Sequence, residues 1–158
     1  VFIIGAGGKS GVLCSYEAKR RAGITGKVIG CCGSPKSADR LMKLGFCDEV
    51  FVGNAKMPVE IMNKVSEYTN GQMADITINC VNIPDTEMTS ILATKNTGVV
   101  YFFSMATSFT KAALGAEGVG SDVTMIIGNG YTKGHAEITL QILRESEKLR
   151  NLFTEMYA

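Results

Sequence analysis

Short apolar runs alternate with longer amphipathic stretches along the whole chain. Val1 to Ile4 is wholly apolar and stops at Gly5, the pattern of a strand covered on both faces. From about Gly8 to Arg21 the spacing turns helical and closes on Lys19, Arg20, Arg21 and Gly23, ordinary helix-stop signals. Lys27 to Cys32 predicts a second strand. Ser34-Pro35 predicts a helix start, with Ser34 as N-cap and Pro35 in the first helical position. That helix carries Ala38, Leu41, Met42 and Leu44 on one face and ends at Gly45. Glu49 to Val52 predicts a third strand, and Val59 to Tyr68 a helix with Ile61, Met62 and Val65 inward. Asp75 to Val81 predicts the fourth strand, Asp85 to Lys95 a helix, Val99 to Phe103 the fifth strand and Asp122 to Ile127 the sixth. Gly134 to about Tyr157 predicts one long helix with Ile138, Ile142, Leu149 and Leu152 on a stripe. Ser104 to Ser121, with mixed polarity and two glycine clusters, carries the weakest pattern.

Strands that alternate with helices imply a parallel sheet covered on both faces. Right-handed crossovers then leave few topologies. Six such strands with a glycine-rich first turn predict an α/β Rossmann fold, a doubly wound six-stranded parallel sheet in the order 3-2-1-4-5-6. Residues 1–158 form one such domain in this reading.

Composition narrows the class. Of 158 residues, 46% are apolar and 20% charged, which excludes a disordered or fibrous chain. A formal net charge of +1 offers no field for nucleic acid. No apolar run approaches the ~20 residues of a membrane span, and no basic segment precedes Val1 and Phe2 as in a signal peptide. A cytoplasmic location is therefore expected, with no membrane partner. Five cysteines (Cys14, Cys31, Cys32, Cys47 and Cys80) lack any C-x-x-C spacing; they are expected to be reduced, and no metal site is expected. The chain opens inside an apolar strand, as a piece cut from a longer protein would.

Chemistry concentrates in Gly5-Ala6-Gly7-Gly8-Lys9-Ser10-Gly11, directly after the first strand. A pyrophosphate needs a tight turn out of the strand, a backbone free of Cβ where the phosphates approach, and close helix–sheet packing. Glycine meets all three needs. Free amides at the helix start then face the anion, with the helix dipole in its favour. The alternative is a glycine-rich turn without a ligand. Gly5, Gly7, Gly8, Lys9, Ser10 and Gly11 are thus the candidate phosphate-binding residues, with Lys9 expected over the phosphates or else solvated. A Walker A loop would need glycine where Ile3 stands, so a nucleoside triphosphatase is rejected.

No Asp or Glu occurs between Glu17 and Asp39. A carboxylate at the end of strand two usually takes the ribose 2′-OH of NAD and would repel a 2′-phosphate. Its absence, with Ser34, Lys36, Ser37 and Arg40 nearby, favours NADP and leaves NAD open. The remaining segments at the strand ends place adenine near Gly53-Asn54. The nicotinamide side falls to Asn82, Ser104, Met105, Thr107 and Asn129, with Asn79 adding hydrogen-bond capacity. Each of these alone reads equally as a turn residue. His135, the only histidine, reads as a surface or capping residue, and no catalytic residue is identified.

These residues carry a family resemblance. The glycine loop, Lys27-Val28-Ile29-Gly30, Ala38-Asp39-Arg40-Leu41 to Leu44-Gly45, and Asp48-Glu49-Val50 resemble the cofactor domain of zinc-alcohol-dehydrogenase-like (medium-chain) reductases. Asp75 to Val81 resembles that family's fourth strand. Thr97 to Phe109 and Ile127-Gly128-Asn129-Gly130-Tyr131 are similar to a narrower branch, the NAD(P)-dependent diamino-acid dehydrogenases of lysine fermentation. The branch implies oxidative deamination of 3,5-diaminohexanoate to 5-amino-3-oxohexanoate, with a diamino acid as small-molecule partner. It also implies an N-terminal catalytic domain that this chain lacks, so the chain alone is expected to be inactive. Other readings are another reductase of the same family, a nucleotide-sensing regulatory domain, or a methyltransferase using S-adenosylmethionine. The last two usually keep an acidic residue after strand two. The sixth strand is expected to offer an edge for a homodimer.

Overall fold

Phe2, Ile3 and Ile4 are all enclosed, because the strand they form lies at the centre of the sheet. In the computed structural model, which describes residues 1–128 and 131–157, thirteen elements follow one another. They are β1 (Phe2–Ile4), α1 (Lys9–Ala22), β2 (Ile29–Cys32), α2 (Pro35–Leu44), β3 (Glu49–Val52), α3 (Pro58–Tyr68) and β4 (Ala74–Asn79). Then come α4 (Glu87–Leu92), β5 (Thr94–Phe102), α5 (Phe109–Gly118), β6 (Thr124–Ile127), α6 (His135–Glu145) and α7 (Glu147–Tyr157). The strands form one six-stranded sheet in the order β3-β2-β1-β4-β5-β6. All five pairings are parallel, with Phe2 opposite Ile29 on one side and Thr77 on the other. The α/β Rossmann expectation is met in strand number, direction and order.

Two cores follow from the period-2 alternation of β1. Ile3 joins Val12, Cys32, Leu41, Ile142, Leu149 and Leu152 beneath α1, α2, α6 and α7. Phe2 and Ile4 join Cys31, Phe51, Ile61 and Val65 beneath α3, and the Phe2 and Phe51 rings stack with centroids 6.1 Å apart. Ala112 brings α5 against Val100 and Phe102 farther along the sheet. Ser34 caps α2 as expected, accepting from the Ser37 amide at 3.3 Å, and Gly45 ends that helix in the left-handed conformation. Met42 and Ile138, expected inward, are exposed at 59% and 54%.

Three elements differ from the sequence expectation. First, the fourth helix is only six residues long, and Thr94 and Lys95 belong to β5. The Thr94 hydroxyl donates to the Ser90 carbonyl at 2.7 Å and meets the Thr77 hydroxyl at 2.7 Å, so the chain turns into the sheet where β-branched Thr94 and Thr97 make poor helix. Second, the Ser104 to Ser121 stretch contains α5, capped by Ser108. Its glycines hid it: a Cβ on Gly115 would sit 2.7 Å from the Met88 sulfur, so Gly115 is there for close packing of α5 on α4.

Third, the long C-terminal helix is two helices. Ser146 is buried in extended conformation, and its hydroxyl accepts from the Leu149 amide at 3.3 Å, starting α7. Arg150 then donates to the Leu143 and Arg144 carbonyls at 2.9 and 2.6 Å, which satisfies the end of α6. Among the described residues no helix is long and apolar enough to cross a membrane.

Candidate functional site

Strand order reverses at β1, because β2 leaves on one side and β4 arrives on the other. The crevice beyond the carboxyl ends at such a point is where open α/β sheets hold ligands. The turn leaving β1 lies there. Gly5 has a φ of 79°, and a side chain on it would meet the Val81 Cγ1 at 2.6 Å. The amides of Gly5 and Ala6 both donate to the Cys31 carbonyl at 3.0 Å, tying the turn to β2. The Gly8 amide donates to the Gly5 carbonyl at 3.0 Å, and Gly8 itself stands as N-cap of α1.

From there α1 runs back against the turn. A Cβ on Gly11 would overlap the Gly5 carbonyl oxygen and sit 2.7 Å from the Ala6 Cα. The amides of Lys9, Ser10 and Gly11, in the first turn of α1, have no hydrogen-bond partner among the described residues. They are the unpaired donors with which every helix begins.

The end of β2 completes this side. A Cβ on Gly7 would come within 2.8 Å of the Ser37 Cβ and 3.2 Å of the Cys32 sulfur. Arg40 reaches back from α2 and donates from Nη2 to the Gly7 carbonyl at 2.7 Å. Its Nε is buried without a hydrogen-bond partner among the described residues. Ser34 and Ser37 share a hydroxyl contact of 3.0 Å, and Lys36 is exposed beside them. Burial pushes the Cys32 thiol up, against hydrogen bonds from Ser37 and Gly7 and the Arg40 charge. Cys32 is therefore a neutral thiol packed beside Gly7.

Asn82, Ser104, Met105 and Thr107 lie in the loops after β4 and β5, at the same carboxyl edge. Asn82 and Met105 are exposed, Met105 at 96%. Ser104 and Thr107 are half-buried, and the Ser104 hydroxyl accepts from the Ala106 amide at 3.1 Å. Asn79 is buried instead, its amide donating to the Thr86 and Ser90 hydroxyls at 2.9 Å each. It braces α4 rather than facing a ligand. Asn129 lies outside the described residues.

Lys9, expected over the phosphates, has its ammonium 3.9 Å from the centre of the Tyr157 ring, a cation–π contact with α7. His135 is exposed, with Nδ1 2.7 Å from the Thr132 carbonyl. Two features gave no sequence signal. One is the Arg40 contact to the glycine turn. The other is Glu87, a buried acid whose carboxylate accepts from the Ser108 amide at 2.6 Å and so fixes the loop after β5.

The fit to a dinucleotide rests on these observations. A side chain on Gly5, Gly7 or Gly11 would strike neighbouring protein atoms, so only glycine lets the turn pack this closely, while Gly8 stands open. The first amides of α1 are unpaired among the described residues, and Arg40, with a buried N–H lacking a partner among the described residues, holds the Gly7 carbonyl. Such an arrangement holds adjacent phosphates. Among the described residues no three His, Cys, Asp or Glu side chains gather closely enough to hold a metal ion.

Over residues 11–135 the chain matches the family of zinc-binding dehydrogenases. It is 61% identical over 157 residues to L-erythro-3,5-diaminohexanoate dehydrogenase of Acetoanaerobium sticklandii, covering 99% of this chain and 46% of that protein. The enzyme of the same name from Fusobacterium nucleatum subsp. nucleatum is 52% identical, with the same coverage. The chain thus spans about half the length of the curated relatives it matches. Among solved structures, Escherichia coli quinone oxidoreductase complexed with NADPH superposes with a TM-score of 0.64 at 19% identity, covering 98% of this chain and 44% of that one. That is a likeness of fold.

Proposed function

This chain belongs to the zinc-binding dehydrogenase family, and from that premise we propose that it is the NAD(P)-holding domain of a dehydrogenase that oxidatively deaminates L-erythro-3,5-diaminohexanoate. The observation that carries the reading is the glycine turn, whose close packing admits only glycine at Gly5, Gly7 and Gly11 and which sets the unpaired first amides of α1 beside the open Gly8. The names of the two curated relatives support the substrate, and lysine fermentation follows as the setting. A bound NAD(P) would supply a hydride acceptor for the carbon bearing the amino group.

The chain's own residues grip and orient. The Lys9, Ser10 and Gly11 amides would hold the pyrophosphate, and the loops carrying Asn82, Ser104, Met105 and Thr107 would hold the nicotinamide end. Ser34, Lys36, Ser37 and Arg40, after β2, would lie toward the ribose 2′ position, and no Asp or Glu occurs between Glu17 and Asp39 to oppose a phosphate there. The described residues bring together no set of side chains that fits a zinc ion. Catalytic groups come from the remainder of the longer protein, and the chain by itself turns over no substrate.

A fluorescence titration tests the reading. NADPH binds with micromolar affinity and NADH more weakly, while S-adenosylmethionine shows no binding. Binding of the methionine derivative alone would overturn the assignment.

A second copy of the chain completes the sheet in this reading. β6 is an edge strand, and Thr124, Ile126 and Ile127 are exposed on its two faces, whereas parallel strands are normally covered on both. Sedimentation velocity should show a concentration-dependent dimer that Ile126→Lys converts to monomer. A native protein that stays monomeric at every concentration would remove this part of the proposal.

A further inference from the structure

Two thiols meet on the face of the sheet covered by α1. Cys14 lies in the second turn of α1, and Cys80 follows the last residue of β4. Their sulfurs are 4.0 Å apart, with the Cys80 thiol donating to Cys14. Cys14 is half-buried and lines a cavity of about 730 Å³ whose walls include Ala18, Ala22, Ile76 and Ile78. Neither the glycine turn nor any proposed cofactor residue lines that cavity.

We propose that Cys14 and Cys80 form a thiol-modification site that takes a low-molecular-weight disulfide. In the first step the Cys14 sulfur attacks one sulfur of the small disulfide. A mixed disulfide forms on Cys14, and one small thiolate leaves and is protonated from solvent. In the second step Cys80 loses its proton and attacks the Cys14 sulfur. The Cys14–Cys80 bond forms and the second small thiolate leaves. The protein gives up two electrons and two protons, and the small disulfide becomes two thiols. A disulfide bond is about 2.0 Å long, so the sulfurs approach by about half their present separation.

Electrostatics supports the division of labour. The hydrogen bond from Cys80 pulls the Cys14 thiol down, against burial, which makes it the nucleophile; the same contact and burial push Cys80 up. The other three thiols are pushed up, chiefly by burial, Cys31 to about 12 and Cys47 to about 11. Cys14 is the one cysteine that combines a lowered pKa, a cavity and a partner in contact. The bond would clamp α1 to the end of β4 beside Gly5, whose added Cβ would lie 3.4 Å from the Cys80 carbonyl carbon.

Glutathione disulfide is the probe. The native protein should lose two of its five free thiols, and a non-reducing tryptic digest should yield one cross-linked peptide pair containing Cys14 and Cys80. Cys80→Ser should stop at glutathionylated Cys14, and Cys14→Ser should leave Cys80 unmodified. The proposal is overturned if all five thiols survive, if native protein stops at the mixed disulfide, or if the bond joins other cysteines.

Discussion

Gly11→Ala will destabilise the protein by about 3 kcal/mol, a fall in Tm of roughly 6–12 °C for a domain of this size. The new methyl group would overlap the Gly5 carbonyl oxygen and stand 2.7 Å from the Ala6 Cα and 2.8 Å from the Gly5 carbonyl carbon. All three are backbone atoms of a turn held by two hydrogen bonds to Cys31, so they do not swing aside as a side-chain tip would. Alanine is better than glycine in a helix by about 1 kcal/mol, and the overlap exceeds that gain. Gly33→Ala is the control. It has nothing within 4 Å of its Cβ position, and its Tm should stay within about 2 °C of native, a change below ~0.5 kcal/mol. Thermal unfolding followed by circular dichroism separates the two, and equal Tm values would show that α1 is not pressed against the turn.

Gly8→Asp is expected to move stability and cofactor binding in opposite directions. Gly8 is the N-cap of α1 with extended backbone, and a Cβ there meets only the Gly5 carbonyl oxygen at 3.4 Å, an ordinary contact. Aspartate is among the best N-caps, and its charge suits a helix start, so Tm should hold or rise by about 1–3 °C. A bound pyrophosphate would face the same carboxylate. Two unit charges 4 Å apart repel by about 4 kcal/mol at an effective dielectric constant of 20. Even with half of that screened, NADPH affinity should fall about 30-fold or more. Native-like NADPH affinity in a well-folded Gly8→Asp protein would mean that the phosphates lie elsewhere.

Much of the fold was legible because local signals agreed with one another. Ser34-Pro35 and Gly45 bracket a helix by capping chemistry alone, and the structure keeps both ends. The sheet order followed from a glycine turn after the first of six short apolar runs. What escaped was settled by distant partners. Gly115 reads as a helix breaker until Met88 of α4 is placed against it. Ser146 looks like one more polar helix residue until Arg150 is seen on the carbonyls of Leu143 and Arg144. Lys9 belongs to the phosphate loop in sequence, yet Tyr157 receives it at the other end of the chain. In sequence Arg40 offers only a charge near the end of β2. Its contact with the Gly7 carbonyl needed the packing of α2 against the turn.

Chain order and spatial order disagree at β1, and this shapes how the molecule is assembled. Phe2 pairs with Ile29 across one edge and with Thr77 across the other. On a ribosome the first partner emerges early, and the second only after three helices and two further strands have been made. During that interval the middle strand of the finished sheet is an open seam of bare amides and carbonyls with apolar flanks. Assembly therefore runs through a half-built sheet whose most hydrophobic strand waits for its neighbour, and the vulnerable stage of this protein's life precedes its completion.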